Sequence, residues 1–145
     1  MFIGRYYHTL ETKNRLSLPK AFREQESHWI ITRGFDGGLM GFKQADFETQ
    51  LNELNERTFT LKHNRDFIRL MSNDATAAEV DDNGRVQLPE YLIKLANLQK
   101  QVVIAGSFNW IEIWDMDLYH LYLEKLEPEA AAISEQIGQS LTQHE

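Results

Sequence analysis

Apolar and polar residues alternate with a period of two along two short stretches of the chain, residues 15–18 and 85–88. In each stretch the leucine or valine positions share one face, and an arginine begins the opposite face, as in a half-buried β-strand. A proline follows each stretch and ends the strand, because proline donates no ladder hydrogen bond. The pattern therefore predicts two strands, each with a buried apolar face and an arginine that points outward.

The two stretches belong to a longer internal repeat. Residues 10–19 correspond to residues 80–89, and each copy has an acid, three residues, Arg, an apolar residue, one residue, Leu and Pro. A second correspondence relates residues 30–42 to 102–114, with an offset two positions longer that a loop can absorb. The repeat predicts two copies of one supersecondary unit that share a core, because about 45 residues of strand and turn rarely fold alone.

A predicted turn precedes each arginine. In the second copy Asn83-Gly84 lies between two strand-like runs, and this pair favours positive φ at both central positions of a two-residue hairpin turn. The first copy has Lys13-Asn14 at this place, and Asn tolerates the left-handed region less readily than Gly. The same turn is expected there with more strain, so each copy is predicted to be a hairpin.

Helical spacing of apolar residues predicts the remaining elements. A helix should follow the second proline and end at Asn97 as a left-handed cap, and Asp115 should cap a later helix. The segment after Pro128 is either a packing or subunit-contact helix or a frayed tail. The predicted strands of the second correspondence are 29–32, 39–42, 101–105 and 110–114, and the predicted helices between the copies are 46–54 and 64–71.

Together these elements predict a mainly β fold with packed helices, of the α+β class, built from two pseudo-symmetric halves. At 145 residues the chain has the length of about one domain, in which both halves can share a core. The expected organisation is a first half at 5–47, a helical linker at 48–75, a second half at 76–119 and a C-terminal helical tail at 120–145.

The amino-acid composition excludes some kinds of site, and the charge distribution limits where a polyanion could bind. The absence of cysteine excludes disulfides and thiolate metal sites, and no stretch resembles a membrane span or signal peptide, so a cytoplasmic location is expected. The net charge of −7 is unevenly distributed: residues 1–24 carry +3, whereas residues 115–145 carry −6. Any contact with a polyanion must therefore be local and made by the basic hairpin end.

Residues 1–19, together with residues 81–85 and 111–114, resemble the MraZ family of bacterial transcriptional regulators, which has tandem AbrB-like (SpoVT-AbrB) domains. The resemblance covers residues 1 to about 120. It implies a swapped-hairpin (double-split) β-barrel and assembly into a ring-shaped homo-oligomer. It also implies binding to double-stranded DNA at promoter repeats ahead of the division and cell-wall gene cluster, including the protein's own operon, and hence association with the nucleoid.

Position by position, the resemblance places the motif acid at Glu11 and Asp81 and the motif arginine at Arg15 and Arg85. The chain departs from the family pattern at Glu11, where Asp is common, and at Asn14, where Gly is common. A two-stranded ribbon fits the major groove, where arginine can contact guanine O6 and N7, so both arginines are expected to read bases or clamp phosphate. The two acids are expected to orient the arginines, because a carboxylate that faced phosphate would be repelled.

Lys13, Asn14 and Asn83 at the tips are expected to add hydrogen bonds to the DNA backbone or base edges. One hairpin buries too little surface for tight binding, so several hairpins are expected to engage spaced repeats together. A ring supplies that multiplicity.

Other functions receive less support from the sequence. No nucleophile and base are arranged for catalysis, and the five histidines lack ligand spacing, so we expect no enzyme, metal, cofactor or small-molecule substrate. Two alternatives stay open. One is a protein-binding module of the antitoxin kind, in which the acidic C-terminal region captures a partner. The other is a structural oligomer whose hairpins only make contacts.

Overall fold

The computed structural model describes residues 1–143, without the side chains of Arg57, Thr58 and Gln143. The strands are β1 (Arg5–Thr9), β2 (Arg15–Ser17), β3 (His28–Arg33), β4 (Leu39–Lys43), β5 (Thr76–Glu79), β6 (Arg85–Gln87), β7 (Gln101–Gly106) and β8 (Trp110–Asp115). The α-helices are α1 (Lys20–Arg23), α2 (Gln44–Thr58), α3 (Lys62–Asn73), α4 (Glu90–Leu95), α5 (Met116–Leu126) and α6 (Ala130–Gln143). Tight 3-10 turns lie at Thr12–Asn14 and Glu127–Glu129.

The strand pairing shows the pseudo-symmetry that the repeat predicts. Six strands form an antiparallel sheet in the order β1-β7-β8-β4-β3-β5, and β2 pairs with β6 in a separate ribbon. The counterparts in the two halves are β1 and β5, β2 and β6, β3 and β7, and β4 and β8. Exchanging each strand of the sheet for its counterpart gives the same order, read from the opposite edge. The first strand of each half pairs with the third strand of the other half, so the two halves are interleaved.

The prediction of two local hairpins was wrong about strand pairing. The strand after each turn does not form a ladder with the strand before it; Glu11 and Arg15 make a single bridge, and the Asp81 N–H donates to the Arg85 carbonyl at 2.9 Å. Instead β2 and β6 pair with each other, with Leu16 opposite Val86. This pairing joins two short apolar faces into one that packs in the same hydrophobic cluster as the sheet residues.

The ribbon contributes directly to the core. Its four apolar side chains are at most 1% exposed and join the sheet residues in a single hydrophobic cluster: Leu16, Leu18, Val86 and Leu88. Burial of each such side chain contributes roughly 1.5–3 kcal/mol relative to exposure. The core therefore fixes the ribbon, and the opposite face of the ribbon is left toward solvent.

The predicted α+β class is confirmed, with a large antiparallel sheet and several packed helices. Within residues 1–143, no ladder joins the ribbon to the sheet edges β1 and β5. The strand pairing thus describes an open sheet and a separate ribbon, and among the described residues no closed barrel is seen.

The helices follow the apolar spacing of the sequence. The predicted segments 46–54 and 64–71 lie within α2 and α3, and Thr32 anchors α3 by donating its hydroxyl to the Met71 carbonyl at 2.8 Å. Asn97, with φ 52°, follows α4 as predicted, and the Asp115 carboxylate caps α5 by accepting the Leu118 N–H at 3.3 Å. Both predicted caps are confirmed.

The C-terminal segment is helical and two of its large apolar residues are exposed. Ile137 is 56% exposed and Leu141 is 64% exposed, so neither residue belongs to the hydrophobic core. The last residues of the predicted tail, His144 and Glu145, lie outside the described residues. Among the helices of residues 1–143, none has the length and apolar character that a bilayer span requires.

Candidate nucleic-acid interface

The outward face of the ribbon brings the two predicted arginines together. In the β2–β6 ladder Arg15 lies opposite Gln87 and Ser17 lies opposite Arg85, so these four side chains share the face that is opposite the core. Arg15 and Arg85 are diagonal neighbours on this face, a relation that places side chains about 7–8 Å apart. Two residues that are seventy positions apart in the chain therefore occupy one surface.

The second turn is stabilised by its own residues. Gly84 has a positive φ of 79°, whereas Asn83 does not, so the predicted two-residue turn with positive φ at both positions was wrong. The Oδ1 atom of Asp81 accepts the N–H groups of Asn83 and Arg85 at 2.9 Å each. The hydrogen bond from the Arg85 N–H, then that from Asn83, lowers the pKa of Asp81, and the positive charges of Arg85 and Arg15 lower it further.

The first turn is built differently. Lys13 and Asn14 have φ of 62° and 60°, which confirms the expected left-handed conformation, but the Glu11 side chain makes no capping hydrogen bond. The Asn14 amide donates to the Glu90 carboxylate at 2.9 Å, and the Gln87 amide donates to the Lys13 carbonyl at 3.0 Å. Side chains of the second half therefore hold the turn of the first half.

Both motif acids lie beside Arg85. Its Nη1 atom is 3.6 Å from a Glu11 carboxylate oxygen, and its Nε atom is 3.6 Å from a carboxylate oxygen of Asp81. The Arg85 side chain is 25% exposed, so the guanidinium is partly shielded between two carboxylates from different halves. Within the described part of the chain, Arg15 has no carboxylate within 4 Å, although it influences Asp81 electrostatically.

Three further residues support the tips and were missed by the sequence reasoning: Arg23, Gln87 and Glu90. Arg23 donates to the Leu18 carbonyl at 2.9 Å, and its Nη1 atom would lie 2.6 Å from a Cβ added at Gly84. No local signal marks Gln87 and Glu90, because each holds a turn more than seventy residues away. Arg23 makes its hydrogen bond to nearby Leu18 and lies beside Gly84 through the fold. Only the exchange of strands between halves brings these residues to the tips.

The exposed groups at this surface include cationic, amide and carboxylate side chains. Lys13 and Asn83 are exposed at the two tips, and the arginines lie on the face between them. Within residues 1–143 no group of three or more acidic or histidine side chains is placed to hold a metal ion. What the arrangement offers chemically is two guanidinium groups, one of them between the Glu11 and Asp81 carboxylates, together with hydrogen-bonding amides.

Comparison with known proteins agrees with this duplicated architecture. The family model described as "MraZ protein, putative antitoxin-like" matches twice, at residues 1–70 and 71–139. The chain is 37% identical over 136 residues to a transcriptional regulator MraZ of Ligilactobacillus salivarius (strain UCC118), covering 93% of this chain and 95% of the relative. It is 34% identical over 138 residues to a transcriptional regulator MraZ of Pediococcus pentosaceus, covering 94% and 96% respectively. The chain therefore belongs to the MraZ family.

Proposed function

We propose that this protein is a sequence-specific DNA-binding transcriptional regulator that acts at spaced promoter repeats of the division and cell-wall gene cluster, including its own operon. The observation that carries the proposal is the placement of Arg15 and Arg85 on one outward face of a single ribbon. The relatives named as transcriptional regulators support it. The protein acts in this proposal without a catalytic reaction, cofactor or small-molecule substrate, in the cytoplasm and at the nucleoid.

The proposed contact is made by the ribbon face in the major groove. Arg15 and Arg85 contact guanine edges or the neighbouring phosphates, as guanidinium groups do in many DNA complexes. Asp81 and Glu11 hold the Arg85 guanidinium in place through contacts of 3.6 Å each. These ion pairs are longer than hydrogen bonds, so in this proposal they favour one orientation of the guanidinium by charge, and less freedom is lost when it docks on DNA.

The tips supply secondary contacts and the assembly supplies affinity. Lys13, Asn14 and Asn83 donate to phosphates or base edges beside the arginines. One ribbon covers too few base pairs for tight binding, so several copies bind spaced repeats together in a ring-shaped homo-oligomer. The swapped-hairpin barrel of the family resemblance also stays a proposal, supported by the interleaved strand pairs.

The arginines are tested by measuring DNA binding directly. Fluorescence anisotropy with a labelled duplex from the region upstream of the gene should show binding that weakens as salt increases, because phosphate contacts release counterions. Arg15→Ala and Arg85→Ala should each weaken binding at least about tenfold, the loss expected for a base-reading arginine. Arg69→Ala is the matched control, because its guanidinium pairs with Asp66 at 2.9 Å on the exposed face of α3.

Two results would contradict the proposal. Unchanged affinity of both ribbon variants would remove Arg15 and Arg85 from the interface. Equal binding of the upstream duplex and a scrambled duplex of the same length would show that sequence is not read. Size-exclusion chromatography of the full chain tests the ring, and elution as a monomer would contradict it.

A protein-binding module of the antitoxin kind is the second candidate. Two observations favour it: the family description contains the words "putative antitoxin-like", and the apolar positions Ile137 and Leu141 are exposed on α6. Deletion of residues 127–145 separates the candidates. A DNA-binding regulator should retain its affinity for the upstream duplex, whereas a module that captures a partner through this helix should lose its activity with the ribbon intact.

A further inference from the structure

Two consecutive residues of the first turn have a conformation that L-amino acids rarely adopt. Lys13 has φ 62° and ψ 27°, and Asn14 has φ 60°. Asparagine tolerates the left-handed region better than most residues, but lysine has no such tolerance. A backbone of this kind persists only where the surrounding structure over-determines it. Specific contacts must therefore hold the turn.

The local contacts that stabilise the second turn are missing from the first. In the second turn a glycine takes the positive φ, and the Asp81 carboxylate accepts two backbone N–H groups. In the first turn Asn14 stands at the position of Gly84, and Glu11 at that of Asp81 makes no capping hydrogen bond. The first turn must depend on more distant residues.

The second half supplies two side-chain hydrogen bonds to this turn. The Gln87 amide donates to the Lys13 carbonyl at 3.0 Å, and the Glu90 carboxylate accepts the Asn14 amide at 2.9 Å. A backbone bond from the Leu88 N–H to the Asn14 carbonyl, 2.9 Å, completes the set. Each of these three hydrogen bonds joins a residue of the second half to a residue of the first.

The side-chain bonds are specific to the first turn. The backbone bond has a counterpart, in which the Leu18 N–H donates to the Gly84 carbonyl at 3.0 Å. The side-chain bonds have none among the described residues, because Ser17 replaces Gln87 and Lys20 replaces Glu90 in the first half. A serine is too short to reach the opposite turn, and a lysine cannot accept a hydrogen bond. Both side-chain hydrogen bonds are therefore made to the turn whose backbone is strained.

We propose that Glu90, assisted by Gln87, is a positioning residue for DNA recognition: it holds the strained first tip so that Lys13 and Asn14 are presented to DNA. This inference rests on the proposed DNA-binding function. Glu90 acts through Asn14 and needs no contact with DNA itself. The first tip is consequently competent only when the two halves are correctly interleaved.

The direction of the effect distinguishes positioning from simple electrostatics. Removal of an exposed carboxylate near a DNA-binding surface strengthens binding when charge alone matters, because repulsion of the phosphates decreases. Positioning predicts the opposite result. Glu90 also lies in the first turn of α4, where an acid stabilises the helix, but that contribution changes stability and leaves the first tip intact.

The test measures binding of the upstream duplex to full-length variants. Glu90→Ala should weaken binding roughly fivefold, the change expected from one lost hydrogen bond. Glu90→Gln should restore binding, because the glutamine oxygen still accepts the Asn14 amide. In an Asn14→Gly background Glu90→Ala should have no further effect, because glycine adopts positive φ without support.

The matched control is Glu79→Ala. This acid lines the same groove as Asn14 and Glu90, and its carboxylate faces His28 at 3.4 Å. Its removal should leave binding unchanged or slightly stronger. The proposal would be overturned if Glu90→Ala bound the duplex as tightly as the wild type or more tightly. It would also be overturned if Glu90→Ala weakened binding as much in the Asn14→Gly background as it does in the wild type.

A second readout requires no DNA and separates this proposal from the proposed function. Backbone NMR chemical shifts of Lys13 and Asn14 report the left-handed conformation, and in Glu90→Ala they should move toward values of an averaged loop. In Glu90→Gln they should stay at wild-type values. Unchanged shifts in Glu90→Ala overturn the positioning role, whereas wild-type protein that fails to bind DNA overturns the proposed function and leaves this readout valid.

Discussion

The two tips present the same motif but are stabilised by different kinds of contact. The second tip is stabilised by side chains of its own half, since Gly84 adopts the positive φ and Asp81 caps the turn, and the Leu18 N–H of the other half adds a backbone bond to the Gly84 carbonyl. The first tip has neither device and is held by Gln87 and Glu90 of the other half. A repeat can thus keep its motif while the support for one copy moves from local sequence to tertiary contact.

The two arginines also differ in the charged side chains that lie beside them. Arg85 is flanked by Glu11 and Asp81, whereas Arg15, within the described residues, has no carboxylate within 4 Å. Arg85 is therefore the arginine with carboxylates on both sides, at distances longer than a hydrogen bond. The acid of the first half thus lies beside the arginine of the second, so both halves contribute to this charged cluster.

The largest expected effect comes from the glycine of the second tip. Gly84→Ala forces an L-residue into φ 79° and brings its Cβ to 2.6 Å from the Arg23 guanidinium. We expect a loss of about 2 kcal/mol in the free energy of unfolding, measured by urea denaturation. Gly138→Ala on α6 is the control, because a Cβ there meets no atom within 4 Å and alanine favours a helix. Equal stability of Gly84→Ala and wild type would show that the second tip does not need its glycine.

A smaller effect of opposite sign is expected in the first tip. Lys13→Gly relieves a left-handed lysine at φ 62°, so the free energy of unfolding should rise by about 0.5–1 kcal/mol. Affinity for the upstream duplex should fall at the same time, because a proposed phosphate contact is lost. Asn83→Gly is the comparison: Asn83 has no positive φ to relieve, so that variant should gain no stability. A gain in both variants, or in neither, would remove the distinction between the tips.

The smallest expected effect is the pH dependence of the second tip. The pKa of Asp81 lies below its ordinary value of 3.8, chiefly because its carboxylate accepts the Arg85 N–H. A depressed folded-state pKa stabilises the protein fully above the ordinary pKa, and this stability is lost as pH falls through the folded-state value. Asp81→Asn keeps the accepting oxygen but cannot titrate, so its melting temperature should fall less over this acidic range. An equal fall in melting temperature with decreasing pH for variant and wild type would contradict a stabilising charge at this position.

Local patterns predicted the elements well, for identifiable reasons. The alternation of residues 15–18 and 85–88 predicted which residues are buried, because one face of a strand must meet the core. The caps at Asn97 and Asp115 were predicted because a cap depends on the few residues beside it.

The prediction for the second turn was wrong because an additional local interaction outweighed it. Asn83-Gly84 favours positive φ at both positions in isolation. Asp81 accepts N–H groups from two residues of the loop, and it thereby selects a turn in which only Gly84 has positive φ. A side chain that competes for backbone donors can change the turn type without changing its place in the sequence.

The amino-acid sequence by itself determined that there are two copies, which faces are apolar, and which arginines remain outside the core. These properties depend on the spacing of residue types within a few positions. Only the tertiary structure decided that β2 pairs with β6, that Glu11 serves Arg85, and that Glu90 holds Asn14. The physical reason is that two equivalent apolar faces can be buried within a half or between halves. Local periodicity is the same in both cases, and the choice depends on how the complete core packs.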